Sequence, residues 1–332
     1  MVKVGVVGTT SWGTTLATIL AQQGLDVRLW ARTDKEATSL SAQGENTRFL
    51  PGVEFPPGLQ VTASTQDAFQ MADLVIFAVP SSTFRSNVRK VRNFLDSSTV
   101  VVSATKGLEL DTAKRMSQVL EEELPSALHP GICALSGPNL AREIIEGKPS
   151  STVIASQNLD AARKAQQLIN SQLFRVYTNE DIVGVEFGGA LKHIIALGAG
   201  ICDGLEYGDN AKAAFMTRGL AEITRLGVAA DANPSTFAGL AGMGDLIATC
   251  SSPLSRNHQV GKQLAGGKTL QEIRKTMKNV VEGIDTTAAA TTLAEKLGVE
   301  MPITRATHNV LFGGVALNQA ISDLLERVPR PE

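Results

Sequence analysis

Over the first 180 residues, short and continuously apolar runs alternate with segments of helical periodicity, and this alternation narrows the possible folds more than any other feature. Val2–Val7 is followed by Gly8 and a helical pattern through Gln23; Asp26–Trp30 reads as the next strand and Asp34–Ala42 as a helix. Asp73–Val79 and Thr99–Ala104 are further apolar runs, with a helix expected near Thr112–Glu122. Ile132–Ser136, Thr152–Ser156 and Leu173–Thr178 complete the strands, with a helix at Asp160–Asn170 between the last two. Strands without a polar face are buried on both sides, as in parallel sheets covered by crossover helices. The expected fold class is therefore α/β, a Rossmann-type doubly wound sheet.

From Asp181 the texture changes to Ala-, Leu- and Gly-rich helical patterns without a convincing strand. Helices are expected at Ile182–Cys202, Asn210–Leu226, Gly244–Thr249, Asn257–Ala265, Leu270–Thr276, Gly283–Leu297, Ile303–Leu311 and Val315–Arg327, with a frayed tail at Val328–Glu332. A chain of 332 residues is long for one core. Two domains are expected: a dinucleotide-binding domain at 1–180 and an all-α substrate and catalytic domain at 181–332.

Bulk composition excludes several classes of function. A net charge of −2 gives no concentrated basic surface of the kind nucleic acid requires. The apolar stretch Ile194–Cys202 is too short for a bilayer span, so no membrane insertion is expected. Cys133, Cys202 and Cys250 are widely spaced and form no metal-ligand pattern, which suits small core residues in a reducing cytoplasm and no metal. Val2 leads directly into a strand, with no charged leader ahead of it.

The first strand runs into Gly8-Thr9-Thr10-Ser11-Trp12-Gly13 and then a helix. This is the place of the dinucleotide fingerprint, where a glycine turn aims a helix N-terminus at a pyrophosphate. Gly8 supplies the tight turn and Gly13 the close helix–strand packing, while Thr10 occupies the middle position. An acidic residue usually closes the second strand of an NAD-selective site. Here that place holds Arg32, whose guanidinium could pair with the 2′-phosphate of NADP.

Three later stretches carry chemistry. Thr105-Lys106-Gly107 follows an apolar strand, and a lysine at a strand's carboxyl end points into the crevice of such a sheet. Lys192, inside the apolar helix of Gly188–His193, is costly to bury and has its pKa lowered by burial, which suits proton transfer; the alternative is a lysine reaching the surface. Asp245 and Thr249 are four apart on one helical face, and Arg256 and Asn257 suit an anionic oxygen cluster. Taken singly, each could be a cap, a turn or a surface charge.

Together these stretches resemble, nearly end to end, the bacterial-type NAD(P)-dependent glycerol-3-phosphate dehydrogenases. The matching segments are SWGTTLA at 11–17, VPS at 79–81, ATKGLE at 104–109, SGPNLARE at 136–143, GGALKHIIALGAGICDGL at 188–205, GDNAKAAFMTRGLAE at 208–222, GLAGMGDLIATCSSPLSRN at 239–257 and VVEG at 280–283. The resemblance implies that Lys192 is the catalytic acid and base, with Lys106, Asp245 and Thr249 at the reacting centre. It implies that Gly137, Asn139, Ser255, Arg256 and Asn257 line the substrate site with Lys106, Lys192 and Asp245. Ser11, Trp12, Arg32, Lys106, Ala141, Arg256, Val280 and Glu282 would follow the cofactor, NADP or NAD, beyond the glycine turn. The chain departs from the family at Thr10, usually glycine, and at His193, usually asparagine.

By the same resemblance, hydride from NAD(P)H reduces C2 of dihydroxyacetone phosphate while Lys192 protonates the emerging alkoxide. A homodimer, and a role in supplying glycerol 3-phosphate for phospholipid synthesis, are likewise implied. Two other readings stay open on the residues: an NADP-dependent hydroxyacid dehydrogenase of related fold, and a catalytically silent NADP(H)-binding sensor.

Overall fold

The computed structural model describes residues 1–276 and 280–328. Eight strands among them form one sheet: β1 (Lys3–Val7), β2 (Asp26–Trp30), β3 (Leu59–Thr62), β4 (Leu74–Phe77), β5 (Val100–Ser103), β6 (Ile132–Ser136), β7 (Ser150–Ala155) and β8 (Phe174–Asn179), in the order β3-β2-β1-β4-β5-β6-β7-β8. Connecting helices are α1 (Ser11–Gln22), α2 (Asp34–Gln43), α3 (Thr65–Phe69), α4 (Ser81–Val91), α5 (Met116–Glu123), α6 (Ala141–Ile145) and α7 (Leu159–Ile169).

Alternation of side chains along the central strands divides the core between two faces. Leu74 and Ile76 of β4 and Val100 and Val102 of β5 join Val4, Val6, Leu16 and Leu20 on the α1 side. Val75 and Phe77 with Val101 join Phe69, Phe84, Val88 and Leu120 on the other. An apolar run thus buries both faces, and helices cover each. Strand order reverses between β1, which pairs with β2, and β4, which is β1's other neighbour. A crevice at the strands' carboxyl ends follows from that reversal.

One expectation about the sheet is corrected. β6 and β7 are antiparallel, not parallel. The connection 137–149 holds only the five-residue α6, which rises about 7.5 Å, too little to carry the chain back along a strand of about 16 Å. Four elements also fall outside the expected set. β3 is an edge strand paired only with β2, and Gln60 and Thr62, with only Leu59 fully buried, leave no apolar run. α4 buries Phe84, Val88 and Val91, at spacings of four and three, beneath an otherwise polar surface. α3 and α6 are only five residues long. α5 starts at Met116, later than expected, because Glu109 N–H donates to Lys114 O at 2.9 Å and Ala113 adopts φ +55°, making a turn of that stretch.

Beyond Asn179 the described residues are helical: α8 (Ile182–Gly204), α9 (Gly208–Ala229), α10 (Asp245–Ser251), α11 (Arg256–Ala265), α12 (Leu270–Thr276), α13 (Glu282–Leu297), α14 (Pro302–Phe312) and α15 (Leu317–Leu325). The expected tail beyond Val328 lies outside the described residues. α8 is the axis of this half, with α9, α10, α11 and α13 packed around it. Its 23 residues are long and apolar enough to cross a bilayer by length and composition, unlike the nine-residue stretch inside it, but 83% of its most apolar window is buried in the fold. Phe187, Leu191, Ile194 and Ile195 of α8 meet Leu226, Phe237, Leu246 and Ala290 there. The three cysteines are free and buried, as small core residues.

Candidate active site

Residues that stand apart in the sequence converge at the carboxyl ends of β1, β4, β5 and β6. The turn after β1 is shaped by two glycines. Gly8 adopts φ +116°, and a Cβ there would lie 2.7 Å from Ala78 O. A Cβ on Gly13 would lie 2.0 Å from Gly8 O. The backbone therefore passes where only glycine fits, and α1 opens directly behind it. Thr10 is the N-cap of α1: its hydroxyl donates to Ala78 O at 2.8 Å and accepts from Gly13 N–H at 3.0 Å. Its φ of −72° is open to any L-residue, so threonine replaces the expected glycine without strain and uses its hydroxyl to tie the turn to β4. The amides of Ser11 and Trp12 are the orphan donors of the first turn.

Around this turn, Ser11 Oγ donates to Phe49 O at 2.7 Å. The Trp12 indole packs edge-on against Phe174 at 6.3 Å and contributes to the core. Ala141, at the start of α6, accepts from Thr15 Oγ1 through its carbonyl at 3.5 Å. Arg32 is exposed past β2, and its guanidinium has no partner among the described residues.

After β5 and β6 the chain brings in the charged groups. Lys106 Nζ donates to Asp245 Oδ2 at 2.7 Å and to Gly137 O at 2.8 Å. Lys192 Nζ, from α8, donates to Asp245 Oδ1 and to Thr249 Oγ1, the latter at 2.8 Å. Ser136 Oγ adds a donor to Asp245 Oδ2 at 3.4 Å. Asp245 is 1% exposed and Lys192 4%. One carboxylate in a dry site thus holds two lysines, one on each oxygen. Burial pushes the Lys192 ammonium down to about 7, against the attraction of Asp245 and with Lys106 adding to the depression. The four-residue spacing of Asp245 and Thr249 works as expected, since both groups meet the same Nζ. A π-helical turn, Leu240–Gly244, leads into α10.

The loop before α11 and the start of α13 form a second shoulder. Ser255 caps α11, its Oγ accepting from His258 N–H at 3.3 Å. Arg256 is exposed and donates from Nη1 to Val280 O at 2.7 Å. Asn257 accepts from Gly283 N–H through Oδ1 at 3.0 Å, which fixes its amide orientation and aims Nδ2 at His193 Nδ1, 2.8 Å away. His193 is therefore the neutral tautomer protonated on Nε2. Burial and then the nearby Lys192, Lys106 and Arg256 hold it well below the usual histidine range. Asn139 is engaged with β7, donating to Ser151 O at 3.1 Å and accepting from Thr152 Oγ1 at 2.9 Å, so it braces the loop that carries Gly137. Glu282 reaches across to α4, accepting from Ser81 Oγ at 2.7 Å and Ser81 N–H at 3.4 Å, with its carboxyl raised by burial.

Ser136, Ser81 and the His193–Asn257 link escaped the sequence reading. Ser136 had a signal, since it ends a strand on the crevice side; the other two pairings join positions 64 and 201 residues apart. Among the described residues no cluster of potential metal ligands occurs.

Comparison with known proteins agrees along the whole chain. The family model for the NAD-dependent glycerol-3-phosphate dehydrogenase N-terminus matches residues 3–162, and that for the C-terminus matches 181–322. A glycerol-3-phosphate dehydrogenase (NAD(P)+) of Dehalococcoides mccartyi is 52% identical over 98% of this chain and 91% of its own. One from Chlorobium limicola is 46% identical over 99% of both. The crystal structure of glycerol-3-phosphate dehydrogenase from Coxiella burnetii superposes with a TM-score of 0.92 at 34% identity, covering 98% of this chain and 99% of that one. Both halves match in order and at these identities, so the chain belongs to the NAD-dependent glycerol-3-phosphate dehydrogenase family.

Proposed function

We propose that the chain interconverts dihydroxyacetone phosphate and sn-glycerol 3-phosphate, using NADH or NADPH. The observation that carries this reading is the pair of lysines sharing Asp245. As an ammonium, each has three N–H donors and spends two, Lys106 on Asp245 and Gly137 and Lys192 on Asp245 and Thr249. One donor on each is left for a single ligand oxygen beside the glycine turn.

The nicotinamide cofactor supplies the hydride when bound. Its fit to this chain is supported by the turn at Gly8 and Gly13, whose Cβ space is filled by backbone, and by the amides of Ser11 and Trp12 at the positive end of α1. Arg32 suits a 2′-phosphate, with Ala141, Val280 and Glu282 bordering the crevice. As charge grows on the carbonyl oxygen, Lys106 and Lys192 stabilise it in a dry site where such contacts count most. Lys192 then gives up a proton, and a group poised near 7 can also take it back in the reverse direction. Asp245 and Thr249 hold the Nζ in place. The exposed Arg256 and the N-terminus of α11, capped by Ser255, suit the phosphate, with the spare Nδ2 hydrogen of Asn257 beside them. Gly137 and Asn139 complete the substrate side.

In this reading residues 1–180 carry the cofactor and 181–332 the substrate. The protein works as a cytoplasmic homodimer supplying glycerol 3-phosphate for phospholipid synthesis. The test is oxidation of NADPH or NADH at 340 nm with dihydroxyacetone phosphate, dihydroxyacetone and a 2-oxo acid in parallel. Rapid turnover of dihydroxyacetone phosphate alone is expected. Faster turnover of the 2-oxo acid would favour the hydroxyacid dehydrogenase alternative, and turnover of none would leave a binding protein.

A further inference from the structure

The place just past β2 that would hold an acidic residue in an NAD-selective site is taken by Arg32, yet a carboxylate occupies the same corner. It comes from Glu36, one helical turn further on. Glu36 Oε1 accepts from Thr9 Oγ1 at 2.6 Å, on the glycine turn itself, and Oε2 accepts from Arg32 N–H at 3.3 Å. The group is thereby fixed between the turn and the end of β2, the two elements that flank the adenosine ribose of a dinucleotide lying across this switch point. Its backbone N–H donates to Thr33 Oγ1 at 3.2 Å, so the first turn of α2 holds it from behind. An ionised carboxylate has about four acceptor sites, and these contacts use two. Two remain for ribose hydroxyls.

We propose that Glu36 is a specificity residue: it accepts hydrogen bonds from the ribose hydroxyls of NADH, while the exposed Arg32 receives the 2′-phosphate of NADPH. Acid and base thus stand at one corner and serve the two cofactors in turn. Glu36 opposes the 2′-phosphate by like charge, and Arg32 offsets that opposition. The inference rests on the reading of the glycine turn as a cofactor site.

The experiment is calorimetric titration of the full chain with ADP-ribose and with 2′-phospho-ADP-ribose, which needs no turnover. In Glu36→Gln, ADP-ribose binding should weaken about tenfold, the effect of weakening a hydrogen bond to a charged group. Binding of the 2′-phosphorylated fragment should hold or tighten. Arg32→Ala should do the reverse. If Glu36→Gln is too unstable to titrate, Glu36→Asp keeps the charge but withdraws it by one methylene, and should lose ADP-ribose selectively. A variant that loses both fragments equally has lost only a helix cap, and that result overturns the proposal, as does no change in either. Failure of both fragments to bind the wild type would overturn the cofactor reading as well. Binding of both with a ratio insensitive to Glu36 would overturn this inference alone.

Discussion

Replacing Asp245 by asparagine removes the one negative charge from a space that holds two lysines. With the ammoniums on opposite oxygens of one carboxylate, they stand on the order of 5 Å apart; at an effective dielectric of 20 they repel by about 3 kcal/mol. Asparagine offers an oxygen to one lysine and a donor to the other, so the repulsion comes with a lost hydrogen bond. Near pH 5, where both lysines carry their protons, the variant should be about 3 kcal/mol less stable, the low end for breaking a buried ion pair. The pH dependence is more telling. Lys192 is already depressed to about 7 with Asp245 beside it, and without that attraction it falls lower. In the unfolded chain it stays protonated to about 10.4. Between the folded and unfolded values the unfolded state binds the extra proton, so stability rises with pH by up to about 1.4 kcal/mol per unit. For the wild type this rise begins near 7 and for the variant below it. The stability gap should therefore narrow as pH rises from 5 to 7 and level off above 8. Urea denaturation across pH 5–9 measures it. A gap that does not vary with pH, or a loss below about 1 kcal/mol at pH 5 where breaking a buried pair should cost more, would refute the shared-carboxylate account.

Lys192→Ala should lower kcat by about 10²–10⁴, the usual cost of a lost general acid, and leave the cofactor dissociation constant within about threefold. In the wild type, ketone reduction should fall as pH rises through about 7, while alcohol oxidation rises, because one direction needs the ammonium and the other the amine. A rate profile that is flat from pH 6 to 8 in both directions would remove Lys192 from proton transfer. Arg256→Ala should raise KM for dihydroxyacetone phosphate and leave slow turnover of dihydroxyacetone unchanged; equal losses for both would deny it the phosphate. Thr10→Gly should destabilise the protein by about 1–2 kcal/mol, mostly through the lost hydrogen bond to Ala78 O, since glycine at an N-cap costs only a few tenths. Its cofactor affinity should shift by less than tenfold, and a hundredfold loss on titration would show that the hydroxyl serves the ligand as well as Ala78 and Gly13.

Much of the fold was legible in the residues because its cause is local. Runs such as Leu74–Phe77 and Val100–Ser103 are apolar at every position and can only be buried on both faces. Gly8 and Gly13 mark a turn that any residue with a Cβ would block. The helices after Asp181 follow from periodicity, and a lysine inside α8 is conspicuous there from sequence alone. Direction, pairing and protonation were decided elsewhere. β7 runs antiparallel because the chain between it and β6 has too little helix to return, and an apolar pattern does not record direction. Thr10 stood only as a departure from the family's glycine until its hydroxyl met Ala78 O, 68 residues away, as a hydrogen-bond donor. His193 is neutral because burial and then Lys192, Lys106 and Arg256 hold it below the usual histidine range, and its tautomer is set by Asn257, oriented by the amide of Gly283. Lys106, Lys192 and Asp245 span 139 residues of chain. Periodicity shows that each is unusual in its own segment; only the packing of α8 against β6, with α10 packed on α8, puts two positive charges on one buried carboxylate, and the proton affinity of Lys192 is a property of that arrangement.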